Sequence, residues 1–365
     1  MSAPSVLFVP CATERVAATR VRITQYLPFI ERAGIRDKIF PIVSDETTKR
    51  MLVSPTIKGA AKLLYYARVL AEKLFRYLGV LLLAGRYDMI FFQRTSFPFG
   101  LEKLIRIRNP KILFDFDDSI FMADPDAKEF GWIGALKDRV KASEVAGMVS
   151  ASRLVVAGND FLKEYADRHS NNVVVAPETI DTERYFVKRR LAQMPVNIGW
   201  IGSPSTSAYL RAVEPVLKRL AASHGVRIRL IGAGDFRFEG LEIDSIPWSY
   251  ETEISELQTF DIGLMPQPRS DWAEGKFGSK MLQYMAVGVP AVISHSRANA
   301  SVIVDGVNGF MASDDGEWHG KLLRLIEDPV LRERLGLAGR RTMEERFSLQ
   351  ARGSQFVDLL KRCAA

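Results

Sequence analysis

Residues Asp261–Ser294 read DIGLMPQPRSDWAEGKFGSKMLQYMAVGVPAVIS. A short apolar strand (DIGLMP) runs into a polar loop, a helix opens near Ser279, and a second apolar strand (AVIS) comes after it. This is a β-α-β unit of a parallel sheet. Gly275 and Gly278 let backbone approach a ligand closely. The helix start presents unpaired amides where an anion is favoured. Lys276 in the loop and Lys280 in the first helical turn oppose the helix macrodipole, so local stability does not explain them. A bound diphosphate would; the plain alternative is a solvated basic loop before a core helix. Gln283, three residues after Lys280 and on nearly the same face, offers a donor and an acceptor to ribose or sugar hydroxyls.

The same rhythm extends outward in both directions. Ser5–Val9, Asp88–Phe92, Lys111–Phe116, Leu154–Ala157 and Val173–Ala176 read as strands, with Thr19–Ala33 an amphipathic helix. After the polar and basic stretch Asp181–Arg190 the pattern restarts at Val196–Ile201. It continues through Arg227–Ile231, Ile262–Met265 and Ala291–Ser294. The class is α/β, with two Rossmann-like sets joined near 185–195. Ala60–Ala84, AAKLLYYARVLAEKLFRYLGVLLLA, departs from the rhythm: it is helical in period, very apolar, and studded with Lys62, Arg68, Lys73 and Arg76. Those charges interrupt any bilayer span. Two readings stay open, a helix on an anionic membrane surface with its basic residues toward head groups, or one packed on the sheet; the density of apolar residues favours the second.

Other residues carry chemistry. In VNIGWIGSPSTSAYL a strand ends at Gly202, and Ser203, Ser205 and Thr206 are placed to wrap phosphate oxygens before a further helix. Serine and threonine are also ordinary helix caps. In KILFDFDDSIF a buried-looking strand ends in Asp115, Asp117 and Asp118, at the sheet edge where open α/β folds bind ligands. Asp117 or Asp118 is expected to face a ligand bound at that edge. Paired aspartates also suit Mg²⁺, but no metal is expected. Arg20 and Arg22, opening the first helix, and Arg94, after the strand MIFF, are acceptor-side candidates because arginine forks suit phosphate. Gly158 and Asn159 read as a strand-to-helix turn.

The stretch from Gly275 to Pro290 resembles the nucleotide-sugar motif of retaining glycosyltransferases of family 4, the glycosyl transferases group 1. It is closer to a branch reading G-K-x-G-x-K-x-x-Q-Y-M-A-x-G-x-P. The wider family carries two glutamates eight positions apart, the first on the donor sugar and the second on the ribose. Here Gln283 holds the second position and Glu274 lies nine residues before it. SVIVDGVNGFMAS resembles the family's closing loop and strand. The usual arginine and lysine of the Gly202 loop and the usual histidine of the first domain are not seen.

The resemblance implies a GT-B fold, two Rossmann-like domains facing across a cleft. The expected parts are an acceptor-binding domain 1–188, a nucleotide-sugar domain 189–347, and a helix 348–365 crossing back to the first. It implies a hexosyltransferase-type enzyme acting with retention, without cofactor or metal. The donor is a UDP- or GDP-linked sugar and the acceptor a saccharide or lipid-linked saccharide, in polysaccharide or glycoconjugate assembly. Lys280 and Glu274, with Asp117 and Asp118, are the catalytic candidates. Gly202, Ser203, Ser205, Thr206, Lys276, Gly278, Lys280 and Gln283 are the donor-binding ones. A nucleotide-sugar epimerase and a non-catalytic sugar-nucleotide-binding partner subunit are the alternatives.

Composition bounds these readings. The 365 residues are 47% hydrophobic and 25% charged, enough for two cores. Cys11 and Cys363 stand at opposite ends, and four scattered histidines lack ligand spacing, so a reducing compartment is expected. MSAPSVLFVP shows no basic segment before a long apolar run, so no secretory signal is expected. The expected location is cytoplasmic, or peripheral on the inner face of the plasma membrane. A net charge of +7 favours anionic partners. No zinc-finger spacing or basic-aromatic motif supports nucleic acid.

Overall fold

The computed structural model describes residues 4–53, 60–122, 131–188 and 194–365; the side chains of 51–63 and 131–137 also lie outside it. Lys62 and the end of the Asp181–Arg190 stretch therefore fall outside the described residues.

The chain divides into two compact units. Unit 1 comprises Met1–Glu178, Gly275–Phe277 and Arg352–Ala365. Its sheet has six parallel strands in the order β2-β1-β3-β4-β5-β6: β1 Ser5–Pro10, β2 Arg36–Ile39, β3 Met89–Gln93, β4 Ile112–Phe116, β5 Leu154–Ala157 and β6 Val173–Val175. Strands β1, β3, β4 and β5 are buried along their whole length. They are continuous apolar runs, as a parallel sheet covered on both faces requires. The terminal helix Leu349–Ala364 brings Phe356 into this unit, stacked on Tyr26 with ring centroids 4.1 Å apart.

Unit 2 comprises Thr179–Glu274 and Gly278–Ala351. Its six parallel strands run β12-β11-β10-β7-β8-β9: β7 Val196–Ile201, β8 Val226–Ile231, β9 Ile243–Ile246, β10 Ile262–Met265, β11 Ala291–Ser294 and β12 Phe310–Ala312. In each sheet the first strand lies inside. The chain reverses its direction of winding between β1 and β3, and again between β7 and β10. Ligands of doubly wound sheets bind at the carboxyl ends of such strand pairs.

Three expectations need correction or refinement. Thr19–Ala33 is two short helices, Ala17–Arg22 and Leu27–Arg32, separated by a 3₁₀ turn at Thr24–Tyr26. Ile23 leaves helical geometry (φ −133°, ψ −64°), and Pro28 sits at the start of the second helix, where its missing N–H costs nothing. Strands β2 (RDKI) and β9 (IDSI) carry no apolar signature, because they form the sheet edges and are largely solvated. Finally, the helix Ala60–Leu83 packs on the core by one side only: Tyr77 and Val80 are buried in it, while Leu64, Phe75, Leu78 and Leu82 are exposed.

Candidate functional site

In unit 2 the ends of β7 and β10 are bridged by one tyrosine. Tyr284, fully buried in the helix Ser279–Ala286, accepts from the Ile201 amide (3.1 Å) and donates to the Leu264 carbonyl (3.0 Å). Gly263 makes room for its ring, since a Cβ there would lie 2.6 Å from it. This bond fixes the helix start at the β7–β10 reversal. The helix is capped by Gly278, with no side-chain cap bond and no acidic residue in its first turn. Its N-terminal end therefore keeps a positive bias.

Lys280, one residue into that helix, lies with its ammonium 5.4 Å from the centroid of the buried Trp200 ring. A cation over an indole face is held electrostatically as well as by contact. A Cβ on Gly202 would meet both Trp200 (2.4 Å) and Lys280 Cε (2.8 Å). The fold thus brings Gly202 and Lys280 together although 78 residues separate them in sequence. Ser203 and Ser205 share a hydroxyl–hydroxyl bond of 2.8 Å, and Thr206 donates to the Ser203 carbonyl at 3.2 Å. The loop is shaped by its own hydroxyls. It leads into the expected helix, which begins as a 3₁₀ helix, Ser207–Val213, and continues as the α-helix Glu214–Ser223.

The neighbouring loops add residues that sequence reasoning missed. Gly232 comes directly after β8 with φ +74°, and a Cβ there would fall 2.4 Å from the Gly202 carbonyl oxygen and 3.1 Å from Trp248 Cβ. Gly234, with φ +64°, sits against Pro204. The run Gly232–Ala233–Gly234 at the end of a strand was the available signal. Trp248, 40% exposed, has its Cβ beside Gly232 and donates from Nε1 to Glu253 (2.6 Å). Glu253 also accepts from the Tyr185 hydroxyl, and Gln283 Nε2 donates to that hydroxyl at 3.3 Å. Burial and then Glu253 push the Tyr185 phenol well above its ordinary value, so it stays a neutral donor. Gln283 is therefore oriented by an internal network, with Nε2 committed to Tyr185.

Other expected residues have structural explanations. Glu274 accepts from the Arg297 amide at 2.7 Å, capping the short helix Arg297–Ala300. A Cβ on Gly278 would lie 2.4 Å from Met265 Cε and 3.1 Å from Asn299 Oδ1. One on Gly275 would lie 2.1 Å from Ser119 Oγ. Both glycines are demanded by protein neighbours. Lys276, half-buried, lies in the segment that packs with unit 1.

In unit 1 the carboxyl edge of β3 and β4 is a buried charge cluster. Arg22 pairs with Asp115 through both nitrogens, Nε to Oδ2 at 3.0 Å, and donates to the Ala176 carbonyl at 2.8 Å. Arg94, at φ +49°, reaches Asp117 through Nε and Asp118 at 3.5 Å. Asp117 is 1% exposed. Burial alone would raise its carboxyl pKa; the Arg94 charge outweighs that and holds it low, helped by a hydrogen bond with the buried Glu178. Asp117 Oδ2 and Ser119 Oγ are buried without a hydrogen-bond partner of good geometry among the described residues. Asn159 caps the helix Asp160–Ala166 through Leu162 and donates to the Gly275 carbonyl at 3.0 Å. The structure brings Arg22, Arg94, Asp117 and Asp118 together. Arg20 stands apart, donating to the Glu14 and Arg15 carbonyls on an exposed turn.

Residues 195–328 match the family model of glycosyl transferases group 1. No curated protein matches the chain by sequence. Among solved structures, sucrose-phosphate synthase from Thermosynechococcus elongatus superposes with a TM-score of 0.71 at 12% identity, over 98% of both chains. Anabaena HepE in complex with UDP and glucose gives 0.66 at 13% identity, over 98% of this chain and 100% of that one. A glycosyltransferase from Rickettsia africae gives 0.64 at 14% identity, over 100% and 99%. The chain has the GT-B fold.

Proposed function

We propose that the protein transfers a glycosyl group, of hexosyl type, from a nucleoside diphosphate sugar to a saccharide or lipid-linked acceptor, with retention. The observation that carries this reading is Lys280, held over Trp200 and against Gly202 at the β7–β10 reversal, beside a helix start with no acid in its first turn. Transfer breaks the bond between the anomeric carbon and the diphosphate, so negative charge grows on the departing phosphate. A preorganised ammonium and helix-end amides stabilise that charge in the transition state. Trp248 beside Gly232 offers a face for a base, and the Tyr185–Gln283 pair offers oriented polar groups for a ribose. In retaining chemistry the departing phosphate takes the acceptor proton, so no protein base is assigned. Arg94, Asp117 and Asp118 are the acceptor-side candidates of unit 1.

HepE holds UDP and glucose, which makes a UDP-linked hexose the first donor to test and a GDP-linked one the second. The test is product analysis with each donor and a panel of saccharide and lipid-linked acceptors. Free nucleoside diphosphate with a new glycoside is expected. Lys280→Ala is expected to lower kcat by about 10²–10³, the usual cost of losing one preorganised donor, with an unchanged circular dichroism spectrum. A folded Lys280→Ala protein with normal turnover overturns the assignment. An isomerised donor with no glycoside would instead favour an epimerase. Donor binding without either product would favour a partner subunit, the reading that the capping role of Glu274 supports.

A further inference from the structure

The helix Ala60–Leu83 is seated on unit 1 by one side only. Tyr77 donates to the Ser96 carbonyl (2.8 Å) and packs on Phe97, Val80 is fully buried, and Arg76 lies over the Phe40 ring. Glu72 turns inward to accept from the Ser44 amide at 2.6 Å. Lys73 is half-buried, and that burial lowers its pKa. Of the basic residues expected to lie toward head groups, Lys73 and Arg76 are half-buried while Arg68 is exposed. Leu64, Ala71, Phe75, Leu78 and Leu82 succeed one another at spacings of seven, four, three and four residues, one continuous helical face. Phe75 is 76% exposed and Leu82 68%.

This face continues sideways. A groove of about 190 Å³ is lined by Leu74, Leu78, Leu81, Phe97, Leu101 and Leu104, among others, with no charged side chain. Beyond it the helix Glu102–Arg108 exposes Leu104 and Ile107, and Phe99 just before it is 95% exposed. Charge on these two helices is one-sided. Lys103, Arg106 and Arg108 are exposed, as is Arg68, which pairs with Glu46 at 3.3 Å, while the only described acids of these helices, Glu72 and Glu102, are engaged or buried.

We infer that this face docks on an anionic lipid bilayer, lying flat with Phe75, Leu78, Leu82, Phe99 and Ile107 in the interface and the arginines at head-group level. Large apolar faces of this kind mark interaction sites. The charge decides between occupants. A second copy paired through the same patch would set arginine against arginine, since a two-fold interface is self-complementary. An anionic surface neutralises them, each basic residue adding to the attraction. No helix among the described residues is long and apolar enough to cross a membrane, so the contact is made from one side. It does not depend on the transfer reading.

The test is flotation of the full chain with phosphatidylcholine vesicles, alone or with a share of phosphatidylglycerol. The protein is expected to float only with the anionic vesicles, and less at high salt. Lys103→Glu with Arg106→Glu is expected to weaken partitioning by at least about thirtyfold. Phe75→Ser with Leu78→Ser and Leu82→Ser is expected to abolish it with unchanged circular dichroism, because all three side chains are exposed. Chain that stays at the bottom with both vesicles overturns the inference. So do variants that float like the parent, or a dimer in sedimentation velocity that these variants disperse while no vesicle binds.

Discussion

The carboxyl edges of the two sheets solve opposite electrostatic problems. In unit 1, Arg22 and Arg94 meet Asp115, Asp117 and Asp118 within the protein, and the charges answer one another. In unit 2, the edge is built from glycines, local hydroxyl bonds and an ammonium over an indole, beside a helix start with no acid in its first turn. The first arrangement holds a shape; the second presents the helix start at which we propose a diphosphate binds. In sequence, Arg22 and Lys280 look equally suited to an anionic ligand. Only their partners distinguish them.

Substitutions can break this contrast. The largest effect is expected for Arg22→Ala, which strands the fully buried Asp115. The cost is about 3–5 kcal/mol, as for other buried pairs deprived of one partner, read in urea unfolding. Gly232→Ala is next: φ +74° and a Cβ 2.4 Å from the Gly202 carbonyl require the β7 and β8 loops to separate. About 1–3 kcal/mol of stability is expected to go, with weakened UDP binding. Glu274→Gln keeps the cap oxygen for Arg297, so a loss of less than about 1 kcal/mol is expected, and a large fall in turnover would instead give Glu274 a chemical role. Arg20→Ala should move stability by less than about 0.5 kcal/mol. A subtler check uses acid. Because Arg94 lowers the Asp117 pKa in the folded state, this group favours folding above the unfolded value of about 3.9, and the benefit is lost as pH falls through the folded value. Asp117→Asn is expected to flatten that limb of the stability–pH curve.

The sequence disclosed the frame better than the sites. Apolar runs such as Leu154–Ala157, Val196–Ile201, Ile262–Met265 and Ala291–Ser294 coincide with strands, because buried parallel strands need continuous apolar residues. The edge strands Arg36–Ile39 and Ile243–Ile246 gave no such signal, being solvated. The proximity of Gly202 to Lys280 depends on strand order, and the Arg22–Asp115 pair spans 93 residues. Neither is readable from local spacing. Gly275 and Gly278 show the limit most clearly. A glycine for close approach is legible; whether the approaching group is a ligand or Met265 is not.

In the proposed reaction Lys280 and the helix start beside it grip a diphosphate. Isothermal titration of UDP into the parent chain and into Lys280→Ala tests it most directly. The parent affinity is expected to weaken by about tenfold or more in the variant, the scale of one lost charge-assisted bond, and to fall with salt. Equal affinities for the two proteins would contradict it.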